Sequence, residues 1–436
     1  MIIIGVPAGL VVLVLALFLV LRGIGSGGKI PQSISLSFWG TYDSSVAFRD
    51  AISAYEKTYP NIHIEYRQLL PNEYEDSLIQ AFAANSGPDI WMMHNTWLLK
   101  HWDKILQLPQ TAAKGEKKPL FTYKQFQEQF VDVTDKDLTF NQEIYGLPLY
   151  TDNLALFYNK DMFNTAGIAN PPRTWDDFNT DVERLTLKDE RGNIIRSGAA
   201  IGTAQNINRS TDILSMIMIQ HGTIMTDDEA KTATFADQVE GVSVGEKSLQ
   251  YYTDFAQPIK GERYTWNESQ HYSIDAFAEG NAAMMFNYSH NISILRGKSG
   301  RLNFGVAPAP QPAGASINVS YANYWAATVS KQSQYSYEAW RFLTYLTSNQ
   351  GAKFYLKATG RPSARRDLLE LQQSDPDLGV FANQSLTARS WYQPDSKAVE
   401  TIFAQAINDV NYGKATPREA IQTAQSKVNV LFAKIR

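Results

Sequence analysis

The chain has 436 residues, a formal charge of −4, 44% hydrophobic and 19% charged residues, and no cysteine. That length exceeds what one ordinary domain holds, so two lobes with a large buried core are expected. The missing thiols exclude disulfides, thiolate metal sites, cysteine nucleophiles and a lipid-modified cysteine anchor; charge of mixed sign without a basic block argues against nucleic acid.

Residues 2–21 are apolar and uncharged. About 20 such residues span a bilayer, whereas the apolar stretch of a cleaved signal runs to about 7–15. A membrane anchor at 1–22 and a linker at 23–32, flexible at Ser26-Gly27-Gly28, are therefore expected. Gly5, Pro7 and Gly9 weaken the first turns, and Arg22 follows the segment rather than preceding it, against the positive-inside rule. The alternative is a signal cleaved near Gly25-Ser26, with the body secreted. Either way the body lies outside the membrane.

In the body, 34–38 alternates Ile, Leu and Phe with Ser as a strand that ends at Trp39-Gly40-Thr41. Asp43 or Ser44 caps a helix striped by Val46, Phe48, Ile52 and Tyr55, which Tyr59-Pro60-Asn61 stops. A second strand at 62–66, a helix at 74–85 and a third strand at 89–93 follow. Strand–helix–strand order implies right-handed crossovers and a mostly parallel sheet. Ligands of such sheets sit beyond the carboxyl ends of the strands, which here carry Trp39 to Asp43 and His94-Asn95. The extended segments 146–158 and 305–312 are suited to crossing between lobes. Thr174 caps a helix opened by Asp176-Asp177, 211–220 is an apolar core helix, and 339–346 a buried one. The tail from 398 makes two or three helices.

Several short runs then stand in a telling order: Phe38-Trp39-Gly40; Tyr59-Pro60-Asn61-Ile62; Ser86-Gly87-Pro88-Asp89-Ile90; Tyr145-Gly146-Leu147-Pro148 before Phe157-Tyr158-Asn159-Lys160-Asp161; Pro171-Pro172-Arg173-Thr174-Trp175; Phe277-Ala278-Glu279-Gly280-Asn281; Ala339-Trp340-Arg341-Phe342-Leu343; and Gly360-Arg361-Pro362-Ser363. Over nearly the whole body they resemble the extracellular solute-binding proteins of ABC importers, carbohydrate type, the group of maltose-binding protein. The resemblance implies an α/β, periplasmic-binding-protein-like fold: two lobes joined by hinge segments, with a ligand cleft between them. It puts the crossings near 149–152, 306–308 and 347–351, the N-lobe at 33–150 and 308–347, and the C-lobe at 151–307 and 348–436. It also implies a sugar ligand, permease subunits with an ATPase as partners, and a monomer that needs no cofactor or metal.

A sugar shows hydroxyls round its edge and C–H bonds on its faces, so its site needs carboxylates, amides and aromatic planes. The first-strand loop offers Trp39, Tyr42 and Asp43, whose alternatives are a packed ring and a helix cap. His94 and Asn95 end the third strand; a lone His serves equally as a structural donor. By the family's spacing Asp152 is a hydroxyl-binding carboxylate, or else a hinge hydrogen bond. Asn206 and Asn208 lie in a loop from which members supply polar contacts, and Tyr288 and His290 end a strand that presents a ring in relatives, although their usual Trp is missing. Asn323, Tyr324 and Trp325 fill a place where relatives carry glycines. Arg361 binds hydroxyls or pairs with a carboxylate, and Trp391-Tyr392 reads as an exposed aromatic pair.

The expected function is capture of a small sugar or oligosaccharide for import. The alternatives are a non-sugar solute such as a polyol phosphate or polyamine, and a glycoside-acting enzyme with two carboxylates. No nucleophile elbow, His-Glu-x-x-His or phosphate-binding glycine loop supports an enzyme.

Overall fold

A computed structural model describes residues 32–435 except Lys114 and Lys117. The anchor or signal expected at 1–22 lies outside the described residues. Among the described residues, no helix is long and apolar enough to cross a membrane.

Strand Ile34–Thr41 turns Leu36 and Phe38 into the core. It pairs in parallel with Ile62–Leu69 on one side and Ile90–His94 on the other. Helices Ser45–Thr58 and Tyr74–Ala83 make the crossovers, as the strand–helix order requires. A fourth strand, Trp325–Ser330, returns from far along the chain and pairs antiparallel with Ile90–His94, setting Trp325 opposite His94. That register brings two residues 231 positions apart to the same sheet end.

In the second lobe, Ala155–Asn159 lies between Met284–Asn287 and Phe304–Ala307, antiparallel to both. Helix Ser210–Gln220 buries Ile213, Leu214, Met216 and Ile217 in this lobe's core, packed against helices Val244–Asp254 and Ser396–Asn411, which explains its near-continuous apolar run. Thr174 caps helix Trp175–Leu185 in a reciprocal box with Asp177, and Trp175 packs inside, its indole N–H donating to Gln220 at 2.8 Å. Helices Ser396–Asn411 and Pro417–Lys434 complete the lobe.

The buried apolar side chains fall into two separate clusters, one per lobe. Between them Asp152–Asn153 pairs antiparallel with Ala322–Asn323, and helix Gly379–Ser385 braces the pair. The Asn153 amide donates to the Phe381 carbonyl and the Ser385 hydroxyl, both at 2.9 Å, and accepts from Gln384 at 2.8 Å.

The lobes divide the chain differently from the expected boundaries. Ala309 and Tyr321 pack in the second core, so the second crossing falls at 321–323 rather than 306–308. Helix Asn349–Thr359 belongs to the first lobe through Ala352, Tyr355 and Leu356, followed by Leu368 and Leu369. The Tyr355 ring lies 5.4 Å from Phe48, and its hydroxyl donates to Asp43 at 2.7 Å. The third crossing therefore comes after 369, and not at 347–351.

Candidate ligand cleft

A cavity of about 640 Å³ opens between the lobes, within the range that holds small organic ligands. Tyr42, His94, Trp97 and Trp325 line it from the first lobe; Arg209, Asp212, Tyr321 and Phe403 from the second; Asn323 forms its floor at the hinge.

The first-lobe wall is aromatic because three strand ends and a loop converge there. The Trp325 ring is the centre, 5.7 Å from Tyr42, 5.3 Å from His94 and 5.0 Å from Trp97. Tyr42 stands 53% exposed with φ 62, a left-handed conformation that bulky residues seldom hold. Such strain concentrates at functional sites.

The floor is a polar chain that runs from one lobe to the other. The Thr96 hydroxyl meets His94 Nδ1 at 2.8 Å, and His94 Nε2 meets Asn323 Oδ1 at 3.2 Å. The Asn323 amide nitrogen faces Asp212 Oδ2 at 3.4 Å, where the Tyr288 hydroxyl also donates at 2.7 Å. An amide oxygen only accepts, so His94 donates from Nε2 and takes the Thr96 hydroxyl on Nδ1. Burial pushes the His94 pKa down to about 4, with the nearby Arg209 charge adding to it, so the ring is neutral at pH 7.

The second-lobe wall carries charge. Helix Ser210–Gln220 presents Asp212 on its first turn, and Arg209 immediately precedes it. Across the rim, Lys100 Nζ lies 2.7 Å from Glu75 in its own lobe and 2.9 Å from Asp395 in the other. The Trp97 indole donates to the Ser396 hydroxyl at 3.1 Å, so the first lobe holds the start of helix Ser396–Asn411. Among the described residues, no cluster of His, Cys, Asp and Glu is arranged to hold a metal ion.

Of the residues picked from sequence, Tyr42, His94, Asn323 and Trp325 line the cavity. The others stand elsewhere. Trp39 packs under the Arg67 guanidinium, 5.0 Å from its ring. Asp43 is no helix cap: it pairs with Arg361 at 2.7 Å, and Arg361 lies 4.2 Å over the Tyr150 ring. Both therefore stabilise the first lobe's interior. Asn95 and Tyr324 point away from the cavity and donate to the buried Asp137 carboxylate, each at 2.9 Å.

Asp152 is buried at the hinge, accepting from the Ser289 backbone N–H at 3.0 Å and its hydroxyl at 2.8 Å. Asn206 donates to the Asn267 and Gln270 carbonyls and accepts from the Trp266 indole, which ties loops together inside the second lobe. Tyr288 is buried beneath the wall, holding Asp212. Trp391 is only 5% exposed, stacked 5.8 Å from Phe403, so it backs the wall instead of forming it.

Trp97, Lys100, Arg209, Asp212 and Asp395 were not picked out from sequence. Trp97 lies three residues past His94, where the strand-end rule already pointed. Asp395 carries a readable signal, an Asp capping a helix through the Ala398 N–H. Nothing local to Arg209 marks it.

Two lobes, a paired-strand hinge and a polar, ring-walled cleft define a solute-binding protein of the periplasmic type. The chain belongs to the family of bacterial extracellular solute-binding proteins, whose model matches residues 40–353. It is 23% identical over 396 residues to a binding protein of Brucella abortus, covering 89% of this chain and 90% of that one. The galactooligosaccharide-binding protein of Bacillus subtilis is 20% identical over 395 residues, covering 89% and 87%. The solved structure of a sugar-binding protein from Xanthomonas citri superposes with a TM-score of 0.75 at 19% identity, over 92% of this chain and 98% of that one. At these identities the superposition establishes the fold.

Proposed function

We propose that the chain captures a small neutral sugar or short oligosaccharide in its cleft and delivers it to the permease subunits of an ABC importer. One observation carries the reading: an aromatic wall of Tyr42, Trp97 and Trp325 faces a polar floor and wall of Asn323, Arg209 and Asp212. Rings cover the apolar faces of a sugar, while amide, carboxylate and guanidinium meet its hydroxyl edge. A phosphate ester fits poorly, because the lining holds five carboxylates, Glu75, Asp76, Asp212, Asp395 and Glu400, against Lys100, Arg209 and Lys397. The galactooligosaccharide-binding relative and the sugar-binding structure support the same class. On this reading the apolar segment at 2–21 holds the body at the outer face of the membrane, as a monomer, and the cleft binds without turnover.

A thermal-shift and calorimetric screen tests the proposal. Ligand at about 100 times its Kd adds roughly 2.7 kcal/mol to stability. A shift with neutral saccharides, and none with glycerol phosphate or polyamines, is expected. Stabilisation by the charged solutes alone, or cleavage of an oligosaccharide during incubation, would overturn it.

A further inference from the structure

Arg209 immediately precedes helix Ser210–Gln220 with φ 62, a left-handed conformation for a long side chain. Its guanidinium lines the cavity, 5.9 Å over the Tyr288 ring. Among the described residues, it donates no hydrogen bond to a protein acceptor. A guanidinium carries five N–H donors, and partly buried donors without acceptors cost free energy, as does the strained backbone. Asp212 and Glu400 balance its charge, but among the described residues no acceptor takes its N–H donors, so the donors facing the cavity point to hydrogen-bond acceptors on a ligand.

Asp212 stands beside it on the first turn of the same helix. Its Oδ2 is occupied by Tyr288 and Asn323, while its Oδ1 carries no hydrogen bond among the described residues. The site thus sets a group that only donates next to a group that only accepts. Two neighbouring hydroxyls of a sugar fit that pair, because each hydroxyl oxygen accepts from the guanidinium and one O–H donates to the carboxylate. A ligand carboxylate or phosphate would satisfy Arg209 but would face Asp212 and Glu400, both of which act on the Arg209 charge.

We propose that Arg209 and Asp212 are the specificity-determining pair of the cleft, reading a vicinal diol on a neutral saccharide. The inference rests on the reading of the cleft as a sugar site, and the test separates the two. Wild type, Arg209→Gly and Asp212→Asn are titrated by calorimetry with maltose, mannobiose, galactobiose and tagatose, and with the monodeoxy analogues of whichever binds. Arg209→Gly is expected to weaken binding about 100-fold and Asp212→Asn about 10-fold. A deoxy sugar lacking one diol hydroxyl should lose affinity for wild type but not for Arg209→Gly. Arg209→Gly relieves the left-handed strain but leaves Asp212 and Glu400 without their cation, so the deoxy-sugar comparison, which a merely structural arginine would not move, is the deciding readout. Binding of a saccharide by wild type and both variants within threefold, or an equal loss on deoxygenation in wild type and Arg209→Gly, overturns the assignment and leaves the sugar reading standing. Failure of every saccharide to bind overturns the sugar reading and this inference with it.

Discussion

The contact most exposed to a clean test is the ion pair across the rim. Lys100 lies between Glu75 and Asp395, with side-chain exposures of 17% for Lys100 and 35% for Asp395. Although burial opposes it, hydrogen bonds from His101 and Lys100 bring the Glu75 pKa down to about 2, so Glu75 is ionised at pH 7. Asp395 has a second role, accepting the Ala398 N–H at 2.9 Å as helix cap. Asparagine caps a helix as well as aspartate does, so Asp395→Asn removes the charge and keeps the cap. A partly exposed pair of this kind contributes about 1 kcal/mol, and Glu75 retains its hold on Lys100. Because the bond joins the two lobes, its loss shifts the equilibrium between joined and parted lobes about fivefold. Calorimetry with the bound saccharide should show Kd about fivefold weaker at low salt, with the gap closing at high salt as screening weakens the wild-type pair. Small-angle scattering should show a larger radius of gyration for ligand-free Asp395→Asn. An unchanged Kd at low salt, or a gap that persists at high salt, would refute the assignment of the contact as a lobe-to-lobe latch.

Three further outcomes are expected. Asp43→Asn leaves the Arg361 charge poorly paired in the first lobe, and denaturant titration should find it less stable by about 3 kcal/mol while saccharide Kd is unchanged. Trp325→Ala removes the central ring of the aromatic wall, and affinity measured by calorimetry should fall at least about 10-fold. His94, with its pKa near 4 in the fold against an ordinary 6.5, takes up a proton in the unfolded chain first. Its contribution is therefore complete above pH 6.5 and is lost as pH falls toward 4. Wild type should lose up to roughly 3 kcal/mol relative to His94→Gln over that window, as read from paired denaturant titrations. A constant difference would show that the ring is not held neutral by burial.

Much of the architecture was legible because local patterns bear on it directly. Alternation in 34–38 and 62–66, the breaks at Tyr59-Pro60-Asn61 and Ser86-Gly87-Pro88, and the Thr174 cap reflect nearest-neighbour chemistry, which the final fold keeps. The strand-end rule placed Tyr42 and His94 in the cleft because a parallel sheet always leaves those ends open. Asp43, Asp152, Arg361 and Trp391 were chemically suited to a sugar, yet each meets its partner inside a lobe or at the hinge: Arg361 for Asp43, Ser289 for Asp152, Phe403 for Trp391. Arg361 and Ser289 lie far in sequence from Asp43 and Asp152, so no spacing announces them, and Phe403 meets Trp391 only through the packing of its helix.

The sequence by itself determined the first three strands, because periodicity, caps and breakers act over a few residues, and its length and ordered family runs gave the two-lobed α/β class. Tertiary structure alone decided where the lobes divide and which polar side chains stay free to meet a ligand. Helix Asn349–Thr359 joins the first lobe through the Tyr355 contacts, and Arg209 faces the cavity with no hydrogen-bond acceptor among the described residues. A side chain's availability depends on which distant groups reach it first, and that is settled only when the whole chain has packed.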